Sequence, residues 1–474
     1  MQKTSRFYRI FTRPKRLDPP SASPKNSRHS KGFSASRLTL IGIGGIVGAG
    51  FFLASGMPIV QAGPAILVSY LIGALLMSQV LGGITSVSMN HEVKGSFRVY
   101  AEQLLGSYIG FLQGWIFFVS GILAVTSEAV AMSIFTKLWL PHIPLSILAT
   151  FYVLIVIALN AFGSENFGRI EALMSIVKIA ALVGFVLTGV LLIIGVINAD
   201  HDVNYTFMTQ GKGFLPNGWL GVGKSMLIVI FSYSGIGLIA NAVSEVKEPK
   251  ITIPRATSGL IIWVTTLYIL ATACLLLMIP WNHVSTSQSP FVEALNRVHL
   301  YFVGSLLNAV ILISAFSVMA GALFSNMIML RSLAESKKAP RFLLRQSSRG
   351  TPWGSLIFCT VSLFAALSLA YVLPSKVYNY LTSASAFFTF LNWSIMMLTF
   401  IRWYKCSYKR GDTLSKWLLF RPYGQWITLF LIAVLAVFSL FSADQRVGFY
   451  YAAGFWAAIT IGYGWLKKRN RQGS

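Results

Sequence analysis

Five glycines, Gly42, Gly44, Gly45, Gly48 and Gly50, crowd the middle of the apolar stretch Leu38 to Ser55, LTLIGIGGIVGAGFFLAS. Glycine weakens a helix and frees its backbone, so an apolar helix is expected to break there. A break across Val47, Gly48, Ala49 and Gly50 would expose N–H groups at the positive dipole end of the outer half-helix, which suits a carboxylate. The carbonyls ending the inner half, from Ile43 to Ile46, suit an ammonium. A second stretch of the same kind, FSYSGIGL at Phe231 to Leu238, adds carbonyls from Phe231 to Ser234 and the hydroxyls of Ser232, Tyr233 and Ser234, with Gly235 at its turn. Phe231 could close over a bound solute or simply pack as a core aromatic. Glycines can also serve only to let helices approach closely, but two such stretches at corresponding places favour paired breaks over packing.

Two ionisable side chains are placed well inside apolar spans, Lys178 and Glu128, and intramembrane charge is functional by default. Lys178 lies about 16 Å along its span from Phe167 at ~1.5 Å per residue, near mid-membrane. Burial disfavours its charged form, which makes it a candidate proton carrier; the competing reading is a structural hydrogen bond. Glu128, in SGILAVTSEAVAMS, is read as either a substrate or proton contact or a brace for broken-helix backbone.

Elements that could hold these groups follow from composition. A chain of 474 residues that is 55% hydrophobic and 11% charged is too apolar for an ordinary soluble globule and reads as a polytopic all-α membrane protein. About twelve runs of spanning length occur, near 38–58, 64–88, 108–138, 143–162, 168–197, 219–243, 256–280, 301–334, 353–373, 377–402, 416–442 and 446–466. A basic, disordered cytoplasmic tail over residues 1–37 precedes them and a short cytoplasmic tail, 467–474, follows. No cleavable signal segment is evident, because the basic start is too long for an n-region and leads into the glycine-broken span.

The formal charge of +25 could suggest nucleic acid, but its placement points to topology instead. Lys94, Arg98, Arg169, Lys247, Lys250, Arg255, Lys337, Lys338, Arg341, Arg345, Arg349, Lys405, Lys409, Arg410, Lys416 and Arg421 all fall in alternate connections. The opposite connections hold only scattered bases such as Lys137, Lys212, Arg297, Lys376 and Arg446. Both termini are therefore expected inside, and no nucleic-acid partner is. Cys274, Cys359 and Cys406 show neither metal spacing nor obvious pairing, the histidines match no metal motif, and no cofactor or metal is expected. The interrupted spans are the first and sixth, each heading a possible five-span unit. An odd number of spans per unit inverts the second relative to the first, the arrangement of alternating-access carriers.

The motifs then resemble, over nearly the whole length, the amino acid permeases of the amino acid-polyamine-organocation superfamily. The matching segments are GIGGIVGAGFF, GSFRVYAEQLLG, GFLQGW, NFGRIEALMSIVKIAALVGF, FSYSGIGLIANAVSEVKEPKITIPRA, LLNAVILISAF, RGTPWGSL and LNW. The resemblance implies a five-plus-five inverted repeat over residues 38–402, a leucine-transporter-type core with helices 1 and 6 discontinuous. Two peripheral helices over 403–466 complete it. It also implies carriage of a zwitterionic amino acid across the plasma membrane, with the broken helices holding carboxylate and ammonium. A lysine at the place of Lys178 stands where sodium-coupled relatives bind an ion, so its ammonium is expected to tether span 1 to span 8, at Ser314 or Ser317.

Some positions depart from that pattern. Gly237 stands where many relatives carry an acid, Thr85, Ser86 and Glu92 replace a Gly-Glu and proline pattern, and Ile328 replaces an arginine that reappears at Arg331. Without an acid near the side chain, a dibasic substrate lacks a charge partner, which favours a neutral amino acid. Glu245 and Arg255 are expected to form a gating or structural ion pair. The reading is thus a secondary carrier of an amino acid with a proton, embedded in the lipid bilayer. An exchanger or polyamine carrier of the same fold and a non-transporting sensor are the alternatives, and no catalytic constellation speaks for an enzyme.

Overall fold

The computed structural model describes residues 34–91, 96–162, 167–197, 213–237, 246, 248–347, 350–372, 376–409, 411–421 and 423–472, without the side chains of 167–170 and 469–472. The basic stretch 1–33, Glu92, Lys94, Lys212, Glu245, Lys247, Arg349 and Arg410 lie outside the described residues, as do the side chains of Arg169, Arg469 and Arg471. Among the described residues the fold is all helical.

The first apolar run opens as helix α1, Ala35–Ile46, three residues earlier than expected. Ser34 sets that start, because its side chain accepts from the Arg37 N–H at 3.3 Å and caps the first turn. The helix stops at Val47, whose backbone turns extended (φ −80°, ψ 101°), and Gly48 is extended as well. A short α2, Ala49–Phe52, resumes the span, and α3, Gly56–Ala62, follows. The break therefore occupies Val47 and Gly48, while Ala49 and Gly50 already belong to the second half. The matching span begins as α9, Gly218–Ser232, opens at Tyr233, and continues as a tighter 3₁₀ turn over Ser234–Ile236.

The other long elements are α4 (Ile66–Asn90), α6 (Ser107–Thr136), α8 (Phe167–Ile193), α10 (Pro249–Met278), α12 (Tyr301–Glu335), α13 (Trp353–Val372) and α14 (Val377–Cys406). Shorter ones are α5 (Arg98–Leu105), α7 (Leu145–Ala161), α11 (Pro290–Arg297) and α15 (Tyr423–Ser439). The last, α16 (Ala443–Gln472), runs through the segment expected as a C-terminal tail, with Lys467 and Lys468 exposed on it. Eight helical spans among the described residues are long and apolar enough to cross a membrane, or nine if α15 and α16, bent by 119°, count as one.

Burial sorts the helices into an inner and an outer set. Helices α4 and α14 are apolar nearly all round and buried nearly all round. Helix α8 instead exposes Leu173, Ile176, Val183, Leu187 and Val190, and α13 exposes Ile357, Val361 and Phe364. Such wide apolar surfaces are stable only against lipid or another protein, so the molecule is a multi-pass membrane protein with the broken helices at its centre. Around them, α1 packs on α8, α10 and α12, and α6 packs on α12 and α14.

Two bases taken from the sequence as topology charges have a tertiary role. Arg98, only 1% exposed, donates to Glu102 Oε2 at 2.5 Å, to the Ser332 carbonyl at 3.0 Å and to Ser336 Oγ at 2.7 Å. Lys338 closes the same knot, 2.6 Å from Glu102 Oε1 and 2.8 Å from the Ser107 carbonyl. Together they lash α5 and the start of α6 to the end of α12. Arg331 and Glu335, by contrast, form an exposed i,i+4 pair. Replacing Arg98 with Ala should therefore destabilise the purified protein by about 3 kcal/mol, whereas Arg331→Ala should cost under ~0.5 kcal/mol. Thermal unfolding of the two variants in one detergent checks the contrast, and equal shifts would contradict it.

Candidate functional site

A broken helix leaves peptide groups without helical partners, and here side chains from six other helices supply most of what is missing. Val47 C=O accepts from Ser314 Oγ at 2.8 Å, and Gly50 C=O accepts from Ser232 Oγ at 2.5 Å. Ala49 C=O accepts from the Tyr378 hydroxyl at 3.1 Å. The Tyr268 hydroxyl lies between the two breaks, 3.3 Å from Ile46 C=O and 3.1 Å from Ser232 C=O. One phenol thus joins both interruptions.

The buried charges sit on the same backbone. Lys178 is fully buried and donates to Gly44 C=O at 2.5 Å. The span-1 end of the expected tether is thus the Gly44 carbonyl, while Ser314 and Ser317 of span 8 bond instead to Val47 C=O and Glu171. Glu128, 3% exposed, accepts from the Ala49 N–H through Oε2 at 3.1 Å. The half-helix N-terminus that the sequence offers to a solute carboxylate is therefore capped by a resident carboxylate. A third charge was missed: Glu171, 1% exposed, accepts from Ser317 Oγ at 2.7 Å and rests against Gly44. It lies seven residues before Lys178, two turns along one face of α8, and that spacing was the available signal. Lys178 is within electrostatic reach of both carboxylates.

On the far side of the break from α1, aromatic rings close the structure. Phe51 stacks on Tyr268 with ring centres 3.8 Å apart, and Phe52, Tyr70, Tyr233 and Phe291 pack around that pair. On the near side lies a cavity of about 90 Å³. Gly45 and the turn Ser234 to Gly237 form one wall, and α6, α12 and α14 form the others through Phe117, Asn326, Asn392 and Trp393.

Of the residues expected around a solute, Ser234 and Gly235 line this cavity. Ile43, Ile46, Val47, Gly48, Ala49, Gly50, Phe231, Ser232 and Tyr233 are buried in the packed break beside it. The walls from α12 and α14 were not identified residue by residue, since serines and asparagines inside spans carry no positional signal. Gly235 is pressed against Gly45, so that a Cβ on it would overlap the Gly45 carbonyl. Gly237 faces only the Phe117 ring, 2.7 Å from where its Cβ would stand.

Known proteins share this sequence and this architecture. The profile described as "Amino acid permease" matches residues 37–472. The amino-acid permease AapA of Bacillus subtilis is 28% identical over 445 residues, covering 94% of this chain and 96% of that protein. The aromatic amino acid transport protein AroP of Escherichia coli O6:H1 is 28% identical over 433 residues, 91% of this chain and 95% of its own. A crystal structure of the Eremococcus coleocola manganese transporter superposes with a TM-score of 0.57 over 96% of this chain and 100% of that one. At 13% identity that likeness concerns the fold alone.

The two glycines of the second break should respond differently to a methyl group. Gly235→Ala meets backbone that cannot yield, and should cut uptake of a transported amino acid at least about tenfold or prevent folding. Gly237→Ala meets a ring that can turn, and should stay within about threefold of wild type. Parallel uptake and size-exclusion profiles of the two variants would separate these outcomes.

Proposed function

The chain belongs to the amino acid permease family, and we propose that it carries a neutral amino acid across the plasma membrane together with a proton, by alternating access. The proposed architecture is two inverted five-span units over 38–402, with two peripheral helices over 403–466 and both termini in the cytoplasm. The observation that carries the reading is the encounter of two interrupted helices at mid-bundle, with Glu128 on one new N-terminus and Lys178 on the carbonyl end opposite.

In this reading Glu128 holds the place of the substrate carboxylate. A charged carboxylate makes a strong bond to the Ala49 N–H, and protonation turns it into a much weaker acceptor. The N–H groups of Ala49 and Gly50 then become available to the carboxylate of an arriving amino acid. Its ammonium would find the carbonyls of the first break, from Ile43 to Val47, and those from Phe231 to Ser234 across from them. Charge balance supports one proton per cycle. With Glu128, Glu171 and Lys178 all ionised, the buried cluster carries one uncompensated negative charge, which a single proton removes. Lys178 would relay that proton while its bond to Gly44 holds the inner half of the break in register.

A neutral substrate is favoured because no charged side chain lines the cavity among the described residues. The aromatic seal on one face and the cavity on the other correspond, with the proposed orientation, to a state open toward the cytoplasm.

The coupling is tested in proteoliposomes under an imposed inward proton gradient. Wild type should accumulate its amino acid, and both Glu128→Gln and Lys178→Ala should lose accumulation. Glu128→Gln should retain counterflow within roughly threefold, because a neutral amide resembles the protonated acid. Full gradient-driven accumulation by Lys178→Ala would end the proton-relay assignment. Uptake that requires internal amino acid in wild type would identify an exchanger instead.

A further inference from the structure

The cavity beside the second break contains more unpaired polarity than an apolar solute would need. Asn326 on α12 is fully buried, yet neither its Oδ1 nor its Nδ2 has a hydrogen-bond partner among the described residues. Ser325 Oγ, beside it, and Asn392 Oδ1, on α14, are likewise unpartnered there, and all three residues line the same cavity. Leaving a buried polar atom unpaired costs about 1–3 kcal/mol, so such groups are rarely retained without a use. Other polar groups nearby are satisfied at home: Ser120 pairs with Ser385, and Thr389 donates to the Ser385 carbonyl. The unpaired set is therefore confined to one corner, where Gly121 lacks the side chain that would otherwise displace the Asn326 amide.

Two further constraints act together. The described lining carries no charge, so a cationic or anionic side chain would be buried without a partner. The volume of about 90 Å³ falls well short of the ~150 Å³ cavity that accepts a benzene ring. As it stands, the space favours a short side chain over an aromatic one.

We propose, resting on the carrier reading above, that this corner is the side-chain subsite of the transported amino acid and selects a short, uncharged side chain bearing a hydrogen-bonding group. The Asn326 amide offers one acceptor and one two-proton donor, which complement a carboxamide in two parallel bonds and a hydroxyl in one. Ser325 Oγ and Asn392 Oδ1 supply the remaining partners. Discrimination comes from the penalty an apolar side chain incurs when it leaves these groups unpaired, and sites of this kind reject the analogue lacking the polar group far more strongly than apolar pockets reject an added one.

The test measures thermal stabilisation of the purified full-length protein in detergent by shape-matched pairs: serine and alanine, threonine and valine, asparagine and leucine, with phenylalanine as the large control. Proteoliposome uptake of the same compounds runs beside it. In each pair the hydrogen-bonding member should act at a concentration at least about tenfold lower, and phenylalanine should not act. The ranking of asparagine against serine tells whether the amide or the hydroxyl is read. Asn326→Leu should bring the asparagine-to-leucine ratio to within about twofold or reverse it, while leucine binding persists. If that variant does not fold, Asn392→Leu and Ser325→Ala should each narrow the same ratio. Equal or better binding of the apolar partners or of phenylalanine by wild type overturns the subsite while leaving a working carrier. An unchanged ratio in a folded Asn326→Leu does the same. If no amino acid stabilises the protein or accumulates, the carrier reading itself falls.

Discussion

Peptide groups cannot be left bare inside lipid, and nearly everything at the centre of this molecule follows from that constraint. Two helices give up their internal hydrogen bonds at Val47 and Tyr233, and each exposed N–H or C=O must find a partner within the protein or in a bound solute. The Tyr268 hydroxyl serves Ile46 on one helix and Ser232 on the other, so neither break can shift without disturbing the second. Ser314, Tyr378 and Lys178 extend the same arrangement into α12, α14 and α8. The break is consequently closed upon itself, and in the proposed transport cycle an arriving solute would have to displace resident groups. A carrier benefits from this, because a substrate held against competition is also a substrate that can leave.

Resident partners differ in how readily they yield. The Ser314 and Tyr378 hydroxyls are neutral donors packed in helix interfaces, and no change of charge loosens them. Glu128 is different in kind, since its hold on Ala49 depends on a charge that one proton abolishes. The break therefore contains both fixed hydroxyl braces and ionisable ones, Glu128 on its N–H side and Lys178 on its carbonyl side. At the bundle end, the knot of Arg98, Glu102, Ser332, Ser336 and Lys338 ties α5 and α6 to α12, so these elements form one tied unit. The walls of the cavity from α6 and α12 belong to that unit, while the walls from Gly45 and Ser234 to Gly237 belong to the broken pair.

How much of this could be read from residues alone depended on whether the constraint was local. The breaks were legible because glycines in an apolar run leave few alternatives in lipid, and Val47 and Gly48 are where the chain turns extended. Lys178 and Glu128 were legible because an isolated charge within an apolar span stands out. Glu171 was not, for it follows the polar NFGR segment and looks like part of a span end until α8 is seen to bury it against Gly44. Arg98 and Lys338 were read from their side of the membrane, which says nothing about their shared partner Glu102, four residues from Arg98 but more than two hundred from Lys338. The polar corner at Asn326 was also hidden. A serine, threonine or asparagine in a span can bond back to its own helix, as Thr389 does, and only three-dimensional neighbours reveal which ones do not.

The departure at Gly237 acquires a physical meaning in this setting. The resemblance leads one to expect an acid there, and glycine in its place could have left either a gap or a different occupant. The Phe117 ring of α6 stands where a Gly237 side chain would begin, so the space is filled from the opposite wall. A ring in that position cannot balance the charge of a lysine or arginine side chain as a carboxylate would, because a quadrupole attracts a cation far less than a full negative charge does. Substituting an acid back at 237 would require the Phe117 ring to turn aside first. Gly237 and Phe117 thus fit together, and in the proposed reading the uncharged lining favours a neutral over a cationic substrate. What polarity remains is gathered at the Asn326 corner, where hydrogen bonding, not charge, is left to distinguish one solute from another.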